Sequence, residues 1–580
     1  MQSNRNESDG ILDLRWRADL TPETGRDYDD VADEIRAEFT ECIGKCSEDH
    51  KDNIDWWVET PSSRNQTTSR LFHFCVALDL INKRQTPGPA IDKILVDSPA
   101  FKRLLDGFFE SAPVSPRICL TPGRLLRTWK IIRRSLSPLR TFVRILGETL
   151  AVRLAGQSKP FPDAAVVLLD CYFLPSHTTE DRYYQGLWDC VREKDKQYVW
   201  YVPQFVGFSL VRLFRTRRRL QRHEKNYVFR EDYLTISDYL YCLGHWARVR
   251  RIDTTGYCFR NHDISALVRE ELRLNADPRS VFLALLNARF AVRLRENGIR
   301  LRRIIDWYEN QPVDRGWNSG FRRSYPGVPL IGYQGTHAAY QSIKPARHEY
   351  EAGILPDVIA VMGAGFFEDR REFFPDMPMS EAPAFRYQQL WQKSHVPARQ
   401  YDQVLVALPM DEATCNYVLR LVIEASTTLA DVTFLVKSHP VYPISDLPAQ
   451  HPEYGRIKLV TGMLSDWFPK VSVAICGGIT TAGLEAIASG CPAILVSPPG
   501  RRSEIPIPQG LSKTTWRISQ DLPSLLNALS DFQTIMAKDP AKFHVLGEQV
   551  RKKYFQAVNT QTVSAFLGLN GPEPVQDATL

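Results

Sequence analysis

Short apolar segments alternate with stretches of helical periodicity along most of the chain. These segments are four to six residues long, as expected for buried strands. The predicted strands are 55–59, 93–97, 165–169, 198–202, 304–308, 329–333, 358–362, 403–408, 432–437, 471–476 and 493–496. Strands that alternate with helices are typical of parallel sheets. The pattern therefore predicts an α/β fold.

The strands fall into two series, separated by a segment that is rich in Phe, Pro and charge. A chain of 580 residues exceeds one hydrophobic core. We predict two Rossmann-like domains that face a cleft, with ligands outside the carboxyl ends of both sheets. The predicted parts are an acidic N-terminal extension (1–50), a first domain (51–365) with a basic helical insert (about 112–158), a linker (366–400), a second domain (401–569) that ends in a helix pair, and a disordered tail (570–580).

Charge is distributed unevenly, although the net charge of +6 is small for this length. Residues 1–52 hold 15 acidic and 7 basic residues, whereas residues 117–155 hold nine basic residues and one acidic residue. A second basic cluster spans residues 212–225. Asymmetry of this kind suggests an anionic surface or ligand.

The basic insert has apolar residues at helical spacing, and Pro138 divides it into two helices. A basic amphipathic helix with Trp and Phe is a candidate for contact with an anionic membrane surface, here through Arg124–Arg144. The alternative is a surface helix whose basic face is solvated. Nucleic acid is the least favoured partner, because aromatic residues suited to base stacking are not interleaved.

Other compositional features argue against a membrane-spanning, secreted or metal-binding protein. No run of 18 apolar residues predicts a membrane span, and the polar, acidic start does not resemble a signal peptide. The 11 cysteines are scattered, and the close pair Cys42 and Cys46 has no partner pair. We expect reduced thiols in a cytoplasmic protein, and no metal site or cofactor.

The segment 471–500 carries the strongest chemical motif. After a predicted strand, Gly477 and Gly478 permit a tight turn, and Thr480 and Thr481 precede a short helix. Free backbone amides at such a helix start can hold a phosphate, and Glu485 can accept both hydroxyls of a ribose. The alternative is a plain strand–helix–strand unit with glycine turns.

The sequence KSHP follows the preceding predicted strand and favours the phosphate-binding interpretation. Lys437 and His439 lie where that strand ends. If the two strands are neighbours, both side chains can face the same anion as Thr480.

These motifs together resemble the donor-binding half of GT-B glycosyltransferases. The closest resemblance is to bacterial proteins of capsule, lipopolysaccharide and other surface carbohydrate biosynthesis. The first half agrees through WWVETPSSRN (56–65), VVLLDCYF (166–173), YYQGLW (183–188), DWYENQP (306–312), PLIGYQGTH (329–337) and LPDVIAVMG (355–363). Related enzymes often have Gln-His-Gly where this chain has the sequence QGTH at 334–337, a departure that concerns His337.

The resemblance implies a nucleotide-sugar donor on the second domain and a glycan acceptor on the first. The implied donor ligands are Lys437, His439, Gly477, Gly478, Thr480, Thr481 and Glu485. A catalytic base is expected at a strand end of the first domain, where the candidates are Glu309, His337 and Asp170, with Glu309 and His337 preferred as a pair. Candidate acceptor ligands are Arg64, Asn310, Gln311 and Gln334. Each also has a structural alternative, such as turn formation, capping or, for Glu309, pairing with Arg315.

Asp27 and Asp29 form the single Asp-x-Asp motif of the chain, and they follow no predicted strand. We interpret them as solvated charge, so the phosphates would be held without a metal. The leading hypothesis is a metal-independent glycosyltransferase that acts on a lipid-linked surface glycan, cytoplasmic or peripheral on the inner face of the plasma membrane. The alternatives are a nucleotide-sugar epimerase of the same shape and a non-catalytic protein that binds sugar nucleotides.

Overall fold

The computed structural model describes most of the chain. The described residues are 10–66, 68–85, 91–110, 115–122, 136–175, 181–274, 277–337, 339, 341–392, 399–439, 442–444, 456–502 and 504–570. Part of the predicted basic insert (123–135, including Arg124) and residues 571–580 of the predicted tail lie outside them.

The N-terminal part forms a small parallel sheet of its own, with strand order β1-β2-β3. Its helices enclose a core that residues 12–109 share with residues 249–272. The elements are β1 (Ile11–Asp13), α1 (Pro22–Ser47), α2 (Ile54–Trp57), α3 (Thr60–Ser63), α4 (Leu71–Gln85), β2 (Lys93–Val96), α5 (Pro99–Phe108) and β3 (Arg117–Leu120). A short 3-10 helix covers Glu48–His50.

A parallel sheet of seven strands forms the centre of the molecule, in the order β12-β11-β10-β9-β4-β5-β6. Its elements are α6 (Ser137–Leu154), β4 (Val166–Phe173), α7 (Leu187–Cys190), β5 (Val199–Phe205), α8 (Leu210–Gln221), β6 (Asn226–Tyr227), α9 (Ile236–Val249), β7 (Cys258–Phe259), β8 (His262–Asp263), α10 (Ser265–Leu274), α11 (Pro278–Glu296), β9 (Leu301–Trp307), α12 (Pro312–Ser324), β10 (Leu330–Gln334), α13 (Arg347–Glu351), β11 (Val358–Val361), α14 (Phe367–Arg370), β12 (Met379–Glu381) and α15 (Gln389–Gln392). β7 and β8 form a separate antiparallel pair.

A second parallel sheet has six strands, in the order β15-β14-β13-β16-β17-β18. Its elements are β13 (Gln400–Ala407), α16 (Glu412–Thr428), β14 (Thr433–Lys437), β15 (Ile457–Leu459), β16 (Val471–Gly477), α17 (Ala482–Ala488), β17 (Ala493–Val496), β18 (Trp516–Ser519), α18 (Leu522–Lys538), α19 (Lys542–Tyr554) and α20 (Thr560–Leu567). These two sheets confirm the predicted α/β class.

Ten of the eleven predicted strands are strands in the structure, within a few residues. The prediction for 55–59 was wrong, because these residues belong to α2 and the turn after it. The side chain of Asn53 accepts a hydrogen bond from the backbone N–H of Asp55 and so begins a helix. Trp56 and Trp57 are both fully buried. Consecutive buried aromatics resemble a buried strand in sequence, but a short enclosed helix buries them equally well.

The predicted acidic extension is folded from residue 10 onward. Ile35, Phe39 and Ile43 on α1 are fully buried in the N-terminal core. The acidic face of α1 reaches the second domain, where Arg502 pairs with Asp29 and Asp33. The interpretation of Asp27 and Asp29 as solvated charge is thus incomplete, since Asp27 pairs with Arg84.

The segment between the two large sheets contacts both of them. It contributes β12 to the edge of the seven-stranded sheet, a strand that the sequence did not predict. At the other end of the chain, the predicted helix pair is present as α19 and α20. α20 returns to the first large sheet, where Arg303 donates to the backbone carbonyls of Ala565 and Phe566. The two domains are therefore joined twice.

Candidate functional site

Loops at the carboxyl ends of both large sheets meet in one cleft. Arg182 lies between β4 and β5, and His439 lies two residues after β14. Burial lowers the pKa of His439, and the positive charges of Arg182 and Lys437 lower it further. Arg182 of the first domain and Lys437 of the second therefore lie close enough to His439 for their positive charges to disfavour its protonation. Positive potential of this kind is suited to an anionic ligand.

Arg386 adds a fourth basic group, from the segment between the two domains. Burial and the charge of Arg386 lower the pKa of Arg182. The guanidinium carbon of Arg386 lies 5.9 Å from the ring centroid of Tyr183. Within the described part of the chain, neither arginine forms an ion pair with a carboxylate. We refer to Lys437, His439, Arg182 and Arg386 as the basic cluster.

Glu309 and Arg386 of the basic cluster both lie close enough to Tyr183 for their charges to act on its hydroxyl. The Tyr183 ring packs edge-on against Trp307, with centroids 4.3 Å apart. Besides burial, which raises the pKa of Tyr183, the charge of Glu309 raises it and that of Arg386 lowers it. The carboxylate of Glu309 is exposed and accepts hydrogen bonds from Trp307 Nε1 and Gln311 Nε2, each 2.8 Å long. One alternative predicted that Glu309 pairs with Arg315. In the structure Glu309 bonds Trp307 and Gln311 instead.

The expected proximity of Lys437 and His439 to Thr480 was based on neighbouring strands, and this expectation was wrong. β13 lies between β14 and β16, with Ala407 paired to both Lys437 and Cys476. Two strand spacings amount to about 10 Å. The Lys-Ser-His segment and the threonine turn therefore lie at two separate points along the same sheet edge.

The two glycines at the end of β16 serve the local packing. A Cβ atom on Gly477 would lie 2.6 Å from Val418 Cγ2, and Gly478 has a φ of +66°. Their conformations thus follow from α16 and from the tight turn, without an approaching ligand. The predicted helix begins at Ala482 and ends before Gly490, which has a φ of +77° as expected for a helix end.

Thr481 and Glu485 contact the segment between the domains. The hydroxyl of Tyr387 donates to Thr481 Oγ1 over 2.9 Å, and Gln389 Nε2 donates to Glu485 Oε1 over 3.1 Å. Thr480 accepts from the backbone N–H of Ala482. Since Tyr387 directly follows Arg386 and Gln389 lies three residues after it, these contacts connect the predicted donor turn with the basic cluster.

Asp170 does not end its strand, contrary to the prediction, because β4 continues to Phe173. Its carboxylate is buried and accepts the backbone N–H of Trp307 over 2.5 Å, just beyond the Leu169–Ile305 pair with which the β4–β9 ladder ends. Burial raises its pKa well above the usual value, and the charge of Asp314 adds to this effect. A side chain that faces a neighbouring strand cannot reach an acceptor in the cleft.

Three buried carboxyl groups form an acidic cluster behind Glu309, namely Asp170, Asp306 and Asp314. Asp306 accepts from Asn318 Nδ2 over 2.9 Å. Asp314 accepts the backbone N–H groups of Glu309 and Gln311, at 2.8 and 2.9 Å. Burial raises the pKa of Asp314 to about 7, despite these amides. This cluster therefore holds at least part of a proton near neutral pH.

His337 lies in a different environment from its predicted partner Glu309. It is buried against Phe366, with ring centroids 4.8 Å apart, and Asp369 Oδ2 lies 4.0 Å from its Nε2. Burial lowers its pKa well below the usual value, and Arg370 and Lys344 lower it further. Within the described residues no hydrogen bond or ion pair joins His337 to Glu309. The structure thus does not support the predicted pair.

Arg64 is fully buried rather than at the cleft surface. Its guanidinium and that of Arg315 both bond the carboxylate of Glu349, which is also buried. Burial raises the pKa of Glu349, but the two guanidinium charges outweigh it and lower the pKa overall. This triad holds α3, α12 and α13 together.

The remaining predicted acceptor ligands take part in turns or are buried. Asn310 has a positive φ of 58° and accepts from the hydroxyl of Tyr308 over 3.2 Å. Gln311 caps α12. Gln334 ends β10 and is 8 % exposed. The structural alternatives for Asn310 and Gln311 are thus realised in the structure.

Arg182 and Arg386 were not predicted as site residues. Arg182 precedes YYQGLW, a segment already noted for its resemblance, and Arg386 lies in the linker. A basic residue in the loop after a predicted parallel strand was an available signal for Arg182. No local signal marks Arg386, because its position depends on how the linker crosses the cleft.

Among the described residues, no group of three or more His, Cys, Asp or Glu side chains is arranged to hold a metal ion. In the same part of the chain, no helix has the length and apolar character needed to cross a membrane.

Comparison with known proteins gives distant structural likeness only. No protein-family model and no curated protein matches the sequence. Three solved structures are similar. They are the glycosyltransferase SnogD from Streptomyces nogalater (11 % identity, 70 % of this chain and 100 % of that chain, TM-score 0.34), an α,α-trehalose-phosphate synthase (UDP-forming) from Burkholderia xenovorans (12 %, 70 % and 100 %, 0.38) and MurG from Acinetobacter baumannii (10 %, 70 % and 98 %, 0.34). Because these TM-scores are below 0.5, no functional argument is drawn from them.

Proposed function

We propose that the protein is a glycosyltransferase that moves a sugar from a nucleotide-sugar donor to a glycan acceptor. The observation that carries this proposal is the basic cluster, in which cations from both domains and the linker converge on the cleft. Arg182 and Arg386 are half-buried and have no carboxylate partner among the described residues, which is costly unless an anion offsets their charge. The diphosphate or monophosphate of a sugar nucleotide is such an anion.

The basic cluster is chemically suited to the leaving group. Glycosyl transfer releases a nucleotide whose phosphate gains negative charge as the sugar bond breaks. Arg182 and Arg386 can each hold phosphate oxygens through two parallel N–H bonds, and Lys437 adds a point charge. His439 can donate a hydrogen bond in either protonation state. Preorganised donors of this kind stabilise developing charge without a metal.

Glu309 is the proposed general base. It is the exposed carboxylate on the Tyr183 side of the cleft, and the N–H groups of Trp307 and Gln311 fix its orientation. An acceptor hydroxyl placed between Glu309 and the sugar can lose its proton to this carboxylate. Asp170 and His337 are not included in this proposal, because both are buried away from the cleft surface.

Glu485 and Thr481 are the proposed ligands of the nucleoside part. Glu485 already accepts a hydrogen bond from the Gln389 side-chain amide. A ribose hydroxyl can offer the same donor chemistry and so compete with or join Gln389. The contacts of Tyr387 and Gln389 with these residues then connect nucleoside binding to the position of Arg386.

The nature of the acceptor is inferred from the resemblance of the first-domain motifs to surface carbohydrate biosynthesis proteins. It implies a capsule or lipopolysaccharide glycan, assembled on a lipid carrier. The specific sugar and nucleotide are left to experiment.

The proposal is tested by thermal shift with CMP, UDP, GDP and their sugars. A ligand at 100 times its Kd should stabilise the protein by about 2.7 kcal/mol. Arg182→Ala and Arg386→Ala should each lower the affinity for the best-binding nucleotide by about 10- to 100-fold. The matched control is Arg420→Ala, since Arg420 also stacks on a tyrosine but lies on α16. Equal affinity in wild type and both cleft variants would contradict the site.

Product analysis distinguishes the proposed reaction from its alternatives. Incubation of the donor without any acceptor should yield slow hydrolysis at most. Release of an isomerised sugar would instead indicate an epimerase. Tight donor binding without turnover, even with membrane-extracted glycolipid acceptors present, would indicate a binding protein.

A further inference from the structure

One surface of the first domain is both apolar and basic, and the proposed chemistry does not use it. On α6 the side chains of Leu139, Val143, Leu150 and Leu154 expose 53–68 % of their surface. At the start of α8, Leu210 and Val211 are 48 and 60 % exposed. These helices flank the seven-stranded sheet near β5. We refer to this surface as the α6–α8 face.

The exposed residues of α6 form a single stripe. Their spacings of four, seven and four residues place them on the same side of a helix with 3.6 residues per turn. Ile145, Thr149 and Val152 are buried on another side of the helix and attach it to the domain. α6 thus has two apolar sides, one packed and one facing solvent. A helix that only covers its own domain needs just the first.

The two helices present one continuous surface. A Cβ atom on Gly147 of α6 would lie 3.6 Å from Leu210 Cδ1 of α8. The exposed leucines and valines of the two helices are therefore neighbours, and scattered single exposures do not explain them.

Arginines surround this apolar surface. On α8 the side chains of Arg212, Arg215, Arg218 and Arg222 are exposed, and none forms an ion pair within the described residues. On α6, Arg140 is exposed, and Arg144 shares Glu148 with Arg279. The segment from 206 to 225 holds seven basic residues and one acidic residue. The α6–α8 face is therefore strongly positive.

We infer that the α6–α8 face docks on the surface of an anionic lipid bilayer. Leucine and valine can enter the boundary between headgroups and acyl chains, while the arginines contact acidic headgroups. Nucleic acid matches the charge but not the aliphatic stripe, because base stacking uses aromatic side chains. The inference goes beyond sugar transfer and does not depend on it.

The α6–α8 face lies at the same edge of the sheet as the cleft, so docking would place the bilayer beside the proposed active site. Leu210 and Val211 follow β5 closely, at the carboxyl edge of the parallel sheet. Arg182 of the basic cluster follows β4 at that same edge. A bilayer on the α6–α8 face therefore lies beside the edge of the sheet that forms the cleft, where an acceptor carried on a lipid can reach Glu309.

The test is flotation of the full-length protein with vesicles of phosphatidylcholine, alone or mixed with phosphatidylglycerol. Binding is expected to the mixed vesicles only, and to fall with added salt. Arg212→Gln, Arg215→Gln, Arg218→Gln and Arg222→Gln together should weaken it by about 100-fold or more. Leu139→Ser, Val143→Ser and Leu150→Ser together should weaken it by about 10-fold while all charges are kept.

A matched control removes four exposed lysines of the second domain, through Lys458→Gln, Lys538→Gln, Lys542→Gln and Lys552→Gln. It should retain binding. Unchanged near-ultraviolet circular dichroism and nucleotide thermal shift in all variants would show that folding and donor binding are intact. The inference is overturned if wild type does not bind the mixed vesicles, if the control loses as much binding as the arginine variant, or if the serine variant binds normally. Preferential binding to an RNA or DNA duplex in place of vesicles would also overturn it.

Discussion

Two pairs of arginines illustrate opposite ways of burying positive charge. Arg64 and Arg315 are fully buried, and both bond the carboxylate of Glu349. Arg182 and Arg386 are half-buried in the cleft, and no carboxylate pairs with either of them within the described residues. Glu349 offsets the charge of the first pair inside the protein, whereas the charge of the second pair is available for a ligand.

The difference is visible in the groups around each pair. The pKa of Glu349 falls even though burial raises it, because two guanidinium charges act on it. In the cleft, burial lowers the pKa values of Arg182 and His439, and the positive charges of neighbouring basic groups lower them further. Compensated charges hold elements of the fold together, and uncompensated ones mark the proposed binding site. Separating structural from functional arginines therefore requires their partners, which sequence does not provide.

The largest expected effect comes from breaking the compensated triad. Glu349→Gln keeps the side-chain shape but leaves two guanidinium charges buried without an anion. Removal of one partner from a buried ion pair costs about 3–5 kcal/mol of unfolding free energy. Urea unfolding followed by circular dichroism measures the loss. Glu351→Gln, an exposed residue of the same helix, is the control and should change stability by less than about 0.5 kcal/mol. Equal stability of both variants would show that the triad is not a structural anchor.

The acidic cluster behind Glu309 contains buried carboxyl groups, whereas the cleft contains basic groups. These buried carboxyl groups predict that the stability of the protein depends on pH. Burial raises the pKa of Asp314 to about 7. The native state therefore holds a proton that the unfolded state releases near pH 4. The stabilisation is complete below that pH and is lost as the pH rises to about 7.

In Asp314→Asn, the decrease in unfolding free energy between pH 5 and 8 should be smaller than in wild type by about 1–3 kcal/mol, since an amide cannot release the proton. Denaturant unfolding across that pH range tests the change. Asp376→Asn, at an exposed surface pair, should leave the wild-type slope intact. A profile as steep in the Asp314 variant as in wild type would place the titration elsewhere.

Much of the fold was predictable, because strand cores such as 166–173 and 471–477 are mostly apolar, with only Asp170 and Ser472 as polar side chains. Asp170 shows where the argument failed. A carboxylate within a buried run was interpreted as the end of the strand, but the N–H of Trp307 satisfies it and the strand continues. The same kind of failure affects Trp56 and Trp57, where burial was recognised and the backbone conformation was not.

The candidate site was predictable at the level of chemistry but not of assembly. His439, Lys437 and Glu309 lie at the cleft, as expected for side chains after parallel strands. Their separation from Thr480 depends on strand order, because β13 lies between β14 and β16. Arg386 depends on the path of the linker. Strand order and domain position are long-range properties, and no local pattern of residues encodes them.

A smaller effect tests the uncompensated pair directly. Arg386→Met removes a cation that no carboxylate of the described residues offsets, and keeps an apolar chain against Tyr183. Unfolding free energy should stay unchanged or rise by up to about 1 kcal/mol, in contrast to Glu349→Gln. The nucleotide-induced thermal shift should decrease at the same time. Arg420→Met provides the control, with unchanged stability and unchanged thermal shift. A clear loss of stability in the Arg386 variant would mean that this arginine has a structural partner.

The smallest expected effect concerns the proton on His439. Burial and the charges of Arg182 and Lys437 lower its pKa in the free protein. A bound phosphate would offset these charges and raise the pKa, so binding should take up part of a proton. Nucleotide affinity should therefore increase by about 3- to 10-fold as the pH falls from above 7 to about 5.5.

Isothermal titration in two buffers of different ionisation enthalpy measures this uptake. His439→Gln should abolish the part that belongs to the protein, while the titration of the nucleotide phosphate is common to both proteins. Arg420→Ala should behave as wild type. If His439→Gln shows the same proton uptake as wild type, His439 does not contact the phosphate, and the uncompensated site is limited to the two arginines and Lys437. If the uptake disappears, His439 contacts the bound anion, which then lies where both domains meet.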